Sequence, residues 1–136
     1  MRAVDTNVLA RFFINDPDDA EAKVQRPAAI TAFSGTIFVP ITVVLEFEWV
    51  MRGFYELPRA TIQQVFQALC GLENAVIEDR PVVLAALEAY QHGLDFADAL
   101  HLARSNHCRA FLSFDRRLQK RAQSAGLSPA IEIPGK

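Results

Sequence analysis

The stretch Ala3-Val4-Asp5-Thr6-Asn7-Val8-Leu9 opens the chain with an apolar run that stops at an acid. Residues 1–5 are short, apolar and rich in strand formers, and predict a buried strand. Residues 7–14 predict a helix directly behind it. The same unit recurs downstream. Residues 36–39, 74–77 and 110–113 predict further short strands, with a last one over 130–133. Helices are predicted between them, over residues 42–54, 58–72, 81–91, 95–106 and 116–124. Asp16-Pro17 reads as an N-cap followed by proline at the first helical position. Asp18, Asp19 and Glu21 then sit in the first turn, where the helix dipole favours them. That helix runs toward Phe33, with a break expected near Gln25 and Arg26 because Pro27 lacks a backbone N–H. Thr42 is the expected cap of the next helix. Short apolar strands alternating with helices predict an α/β fold with a mostly parallel sheet, covered by helices on both faces.

The chain has 136 residues, a length that suits one domain over residues 1–136, and no repeat or linker interrupts it. A hydrophobic fraction of 51% supports a real core and excludes disorder. No run approaches the roughly 18 apolar residues that a membrane span needs. Asp5 comes too early for an export signal, so a reducing cytoplasm is expected. Cys70 and Cys108 form no CxxC pair, which argues against zinc, and read as two small core residues. With 14 Lys+Arg against 16 Asp+Glu, bulk charge argues against nonspecific nucleic-acid binding.

In parallel α/β sheets, function gathers at the carboxyl ends of the strands. Asp5 ends the first strand and Asp115 the fourth, and neighbouring strands would project both acids from one edge. Grouped carboxylates repel and resist desolvation, whereas a hard cation such as Mg2+ removes that cost. Either Asp alone is equally explained as a helix N-cap. Asp95 and Asp98 are three apart and share a helix face. Asp95 also reads as a cap, while Asp98 is a polar residue inside an Ala/Leu-rich helix, beside a stripe of Phe96, Leu100 and Ala103. On residues 42–54, Val43, Phe47, Val50 and Phe54 cluster on one face, with Glu46 and Glu48 on opposite flanks. The wheel does not choose between them. Thr6, Asn7 and Ser113 stand where hydrogen bonds orient Asp5 and Asp115, or where turns and caps need them. No Walker loop, HExxH or GxSxG motif competes, and His92, His101 and His107 lack metal-ligand spacing.

Together these residues resemble the PIN domain, and within it the VapC-type toxin ribonucleases. Residues 3–9 resemble the opening strand and Asp-Thr-Asn turn. Residues 39–51 resemble the second strand and Glu-bearing helix, residues 93–100 the third acidic block, and residues 112–118 the last strand and its Asp. The family places its acid before x-x-Trp-Val-Leu, which selects Glu46. The resemblance implies a three-layer α/β/α sandwich and metal-dependent endoribonuclease activity with Mg2+ or Mn2+. It implies Asp5, Glu46, Asp98 and Asp115 as catalytic and metal-binding residues, with Asp95 as a fifth donor. It also implies a VapB-type antitoxin whose tail blocks the groove, homodimers or toxin–antitoxin hetero-oligomers, and a cytoplasmic setting. Pro27 departs from the pattern in a peripheral helix, often part of the antitoxin groove, and leaves the acidic set intact.

Residues 101–136 hold seven Lys+Arg and two acids. Four of the bases, Arg116, Arg117, Lys120 and Arg121, follow Asp115 and are candidates for RNA phosphate contacts, or a solvated helix face. Setting aside Asp5, Glu46, Asp98 and Asp115 leaves 12 acids against 14 bases, so the net charge of -2 combines an acidic pocket with a mildly basic remainder. A haloacid-dehalogenase-like phosphatase would want a second Asp two residues after the first, where this chain has Asn7. A non-catalytic RNA- or protein-binding module is the other alternative, and the complete acidic set speaks against it.

Overall fold

The computed structural model describes residues 1–135. Lys136, counted above among the C-terminal bases, lies outside them. The order is β1 (Arg2–Ala3), α1 (Thr6–Phe13), α2 (Ala20–Ala32), β2 (Ile37–Val39), α3 (Ile41–Gly53), α4 (Arg59–Cys70), β3 (Ala75–Ile77), α5 (Arg80–Gln91), α6 (Phe96–Arg104), β4 (Ala110–Leu112), α7 (Arg116–Ser124) and β5 (Ala130–Glu132). The alternation of apolar strands and helices is thus realised as an α/β fold, and every strand pairing is parallel. The chain forms two compact units, residues 1–78 and 79–136. No helix among the described residues is long and apolar enough to cross a membrane.

In the first unit the strand order is β1-β2-β3, with Arg2 opposite Ile37 and Ile37 opposite Ala75. Ile37, Val39, Ala75 and Ile77 are buried, as are Leu9 of α1, Val44, Phe47 and Met51 of α3, and Ile62, Phe66 and Leu69 of α4. Phe12 stacks on Phe33 with centroids 3.8 Å apart, and Phe47 meets Phe66 edge-on at 5.8 Å. These contacts fasten α1 to the end of α2 and α3 to α4, and Phe13 of α1 meets Phe47 of α3 at 6.2 Å. In the second unit β4 pairs with β5, Phe111 opposite Ile131. Tyr90 of α5 meets Phe96 of α6 edge-on at 5.4 Å. Gly93 joins these helices at φ +98°, a left-handed conformation that costs glycine little. Leu118 and Ala122 of α7 are buried, and the Gln119 side chain donates to the Ile131 carbonyl at 3.1 Å.

Several local expectations are corrected. Within its own unit β1 pairs with β2, and β4 with β5. The α2 cap is Asp19 rather than Asp16; its carboxylate accepts from the Glu21 and Ala22 N–H groups. Asp16 to Asp19 instead form a turn, closed by Asp19 N–H on the Asp16 carbonyl at 3.3 Å, with Pro17 at the turn position its fixed φ favours. No break occurs at Pro27, and α2 runs through it. Lys23 and Pro27 are both exposed, so the carbonyl deprived of its helix bond is open to hydration. Thr31 adds a bond from its hydroxyl to the Pro27 carbonyl at 3.0 Å. Cys70 is buried as expected, whereas Cys108 is exposed in the turn region after α6.

Thr42 does not cap α3. The capping position is Pro40, which has no side-chain acceptor. The Ile41 N–H donates instead to the Glu78 carboxylate at 2.8 Å, one residue past β3. A cap supplied from 37 residues away fixes the entry of the helix that carries Glu46. Glu78→Ala is expected to cost about 1 kcal/mol, the usual value of a lost cap, and to lower Tm by several degrees. Glu78→Gln, which keeps an acceptor oxygen, should cost less; equal Tm values for Glu78→Ala and wild type in thermal unfolding would dismiss the cap.

Candidate functional site

Each unit gathers its own carboxylates. In the first, Asp5 is the N-cap of α1, its Oδ1 accepting from the Val8 N–H at 3.2 Å. Its other oxygen makes no bond among the described residues. Thr6 is buried, and its hydroxyl donates to Oε1 of Glu46 across the α1–α3 contact. Glu46 is therefore held beside the Asp5–Thr6 junction, with its carboxylate on the exposed side of α3.

Glu48 has a different fate. It is only 2% exposed and accepts from Nε of Arg52, one turn on, at 2.9 Å. The buried face of α3 is Ile41, Val44, Phe47, Glu48 and Met51, rotated from the expected stripe, and Phe54 is 65% exposed. The ambiguity left by the helical wheel is thus resolved by pairing. Burying a carboxylate demands a charged partner, and Arg52 supplies one. Glu48 is a structural ion-pair member, and Glu46 is the carboxylate left available.

In the second unit Asp95 caps α6, with Oδ2 accepting from the Asp98 N–H at 3.2 Å. Asp115 caps α7, one oxygen accepting from the Arg117 and Leu118 N–H groups at 3.0 Å each. Ser113 receives the Asp115 N–H on its hydroxyl oxygen at 3.0 Å, which orients the residue's backbone. Both capping acids keep a second oxygen without a bond among the described residues. Asp98, in the first turn of α6, caps nothing. Partial burial raises its carboxyl above the ordinary value, the charges of Asp95 and Asp115 add to the rise, and His101 opposes it. The apolar side of α6 is Phe96, Ala99, Leu100 and Leu102 rather than the stripe ending at Ala103.

The donor set consists of hard carboxylate oxygens, with hydroxyls beside them and no thiolate. That chemistry fits Mg2+ or Mn2+, which keep several waters and need few direct protein ligands. It also fits the mutual repulsion felt at Asp98, which a cation would relieve. Among the described residues no three His, Cys, Asp or Glu side chains form a ready-made cage. Asn7 is exposed and lines a cavity of about 480 Å3 with Asp5.

Arg116, Arg117, Lys120 and Arg121 are all exposed. At 100° per residue they span an arc of about 140°, away from buried Leu118 and Ala122. Arg121 spends one donor on the Gly93 carbonyl at 2.9 Å and, with His92 and Lys120, lines a recess of about 230 Å3. Two residues escaped the sequence reading. Glu78 gives no local sign, since its acceptor role depends on β2 and β3 pairing. Arg11 does give one: it follows Asn7 by four residues, so both lie on one face of α1.

A family model described as the PIN domain matches residues 2–123. The chain is also similar to a VapC ribonuclease of Aquifex aeolicus (strain VF5), 24% identical over 123 residues, covering 88% of this chain and 91% of that protein.

A carboxyl that holds its proton more tightly in the folded state removes stability as it ionises. For Asp98 that loss begins as pH rises past the unfolded carboxylate value and is complete above the raised folded one. Asp98→Asn should therefore raise the metal-free Tm at about pH 7.5 by a few degrees, with the gain vanishing near about pH 3. Thermal scans of both proteins at the two pH values test this; a gain that persists at low pH would assign the effect to something other than charge.

Proposed function

We propose that this chain, which belongs to the PIN domain family, is the endoribonuclease toxin of a VapC-type toxin–antitoxin pair. Asp5, Glu46, Asp98 and Asp115 hold a divalent cation, Mg2+ or Mn2+, with Asp95 as a fifth donor. The observation that carries the reading is that the family match spans both units while each unit orients carboxylates with uncommitted oxygens at strand ends and helix starts. The same span supports taking residues 1–136 as one PIN-like domain. The bound cation supplies Lewis-acid activation of water and neutralises charge building on the scissile phosphate.

The chain's own residues prepare that chemistry. Thr6 fixes the Glu46 carboxylate, and Ser113 fixes the turn that presents Asp115. Asp5, Asp95 and Asp115 are steered by the N–H groups they cap, so their rotamers are set before substrate arrives. Asn7 offers an amide to RNA beside Asp5. Arg116, Arg117, Lys120 and Arg121 supply phosphate contacts from α7. The similarity to a VapC ribonuclease supports a VapB-type antitoxin as partner and RNA as substrate, with homodimers or toxin–antitoxin hetero-oligomers as assemblies in the cytoplasm.

Because Asp5 caps a helix, alanine there would confuse folding with catalysis. Asparagine caps as well as aspartate but supplies no charge. Asp5→Asn and Glu46→Gln are each expected to reduce cleavage of labelled RNA at least about 100-fold while Tm stays within a few degrees, and EDTA should abolish cleavage by wild type. Undiminished cleavage in both variants and in EDTA would sink the proposal. RNA binding without cleavage under any metal condition would instead favour the non-catalytic module.

Neutralising Arg116, Arg117, Lys120 and Arg121 together should flatten the dependence of RNA affinity on salt, by about 0.7 in log–log slope for each phosphate charge no longer neutralised. Fluorescence anisotropy across a salt series measures it, and an unchanged slope would return α7 to the role of a solvated helix.

A further inference from the structure

Between α1 and α2 of the first unit lies the 480 Å3 cavity lined by Asp5, Asn7, Arg11, Glu21 and Gln25 over small apolar residues of α2. Its volume is within the roughly 300–1,000 Å3 range of small-ligand sites. Arg11 is its one cationic lining residue. The Arg11 guanidinium donates from Nε to Gln25 Oε1 at 2.9 Å and from Nη1 to the Tyr55 hydroxyl at 2.9 Å. Both partners are neutral. Glu21 is present but accepts from the Gln25 amide at 3.2 Å, so that amide stands between the acid and the guanidinium.

Among the described residues Arg11 makes no ion pair, unlike Arg52 with Glu48 or Arg104 with Asp79. Its charge is partly buried, touches no carboxylate directly although Asp5 and Glu21 line the same cavity, and is aimed by two hydrogen bonds from different segments. A partly desolvated cation without a counter-ion is unfavourable until an anion meets it. Among the described residues the Nη2 amino group and one Nη1 hydrogen have no acceptor, and a guanidinium edge matches two oxygens of a phosphate. Prior orientation by Gln25 and Tyr55 lowers the ordering cost of that contact.

We propose that Arg11 is the phosphate-binding residue of a nucleotide subsite in the α1–α2 groove, where it receives the RNA strand flanking the bond cleaved beside Asp5. This rests on the ribonuclease reading above. The small residues of α2 leave room for a sugar and base, while Asn7, one turn before Arg11, lines the same cavity as Asp5 and adds an amide to it. Arg11 is a substrate-positioning residue, since it binds a phosphate away from the reacting atoms and reads no base.

The test uses the full chain and a labelled single-stranded oligoribonucleotide of mixed sequence, with binding measured in EDTA across a salt series and cleavage measured in Mg2+. Arg11→Gln should weaken binding about 5–10-fold and reduce the log–log salt slope by about 0.7. It should raise KM by a similar factor while kcat falls much less. Arg11→Lys should keep the slope but recover only part of the affinity, because the charge remains and the fork is lost. Tyr55→Phe, which removes one holder but no charge, should also keep the slope and so controls for packing.

An unchanged slope and KM in Arg11→Gln, with wild type cleaving RNA, overturns the Arg11 subsite alone. Wild type that neither binds nor cleaves RNA overturns the ribonuclease reading and this subsite with it. Weaker binding of a polyglutamate peptide by Arg11→Gln, with RNA binding unchanged, would give the groove to an acidic protein segment and overturn the nucleotide subsite.

Discussion

The structure depends on one arrangement: an acid placed where the chain enters a helix. Asp5, Asp95 and Asp115 each accept backbone N–H groups of the helix they begin. A helix start has donors without intrahelical partners and a partial positive charge, so an aspartate there is stabilised as an anion. That bond holds the side chain in a fixed orientation while using only one of its two oxygens. Helix capping and side-chain orientation are therefore the same act at three positions. Asp98 lacks such a role, and it is the member whose carboxyl burial and neighbouring charge push upward.

Helix α3 shows how the remaining carboxylates are sorted. Glu46 and Glu48 are two residues apart, so they fall on different sides of the helix. One side carries Phe47 and Met51 into the core and takes Glu48 with it, and Arg52 offsets the burial. The other side meets the Thr6 hydroxyl and keeps Glu46 accessible. The helix is started by Glu78 from beyond β3, which ties the setting of Glu46 to correct pairing of the sheet.

Much of this was legible in the chain. The alternation of strands and helices follows from short apolar runs, and β2, β3, β4 and α7 lie within a residue of their expected bounds. The acids at 5, 95 and 115 are legible because capping is a local, sequence-near interaction. What eluded the sequence depends on contacts far along the chain or on solvent. The α3 cap comes from Glu78, the choice between Glu46 and Glu48 depends on which face the core takes, and Pro27 is tolerated because its side of α2 is exposed. The Asp19 cap was missed for a nearer reason. Asp16-Pro17 fits a turn as well as a helix start, and the Asp19 carboxylate accepts from two N–H groups once the turn is made.

If the chain is the ribonuclease proposed above, the capping role of three of these acids bears on how it would drift once cleavage were no longer selected. Asp5, Asp95 and Asp115 would still be retained or exchanged for asparagine or serine, because the helices need an acceptor there. Asp98 begins no helix, and the fold gains nothing from its charge. Glu46 is exposed but accepts the hydroxyl of buried Thr6, so its loss would leave that hydroxyl unpaired. A decaying descendant would therefore lose Asp98 first. An apparently intact Asp-Thr-Asn opening would then be a poor sign of a living enzyme, and Asp98 a good one.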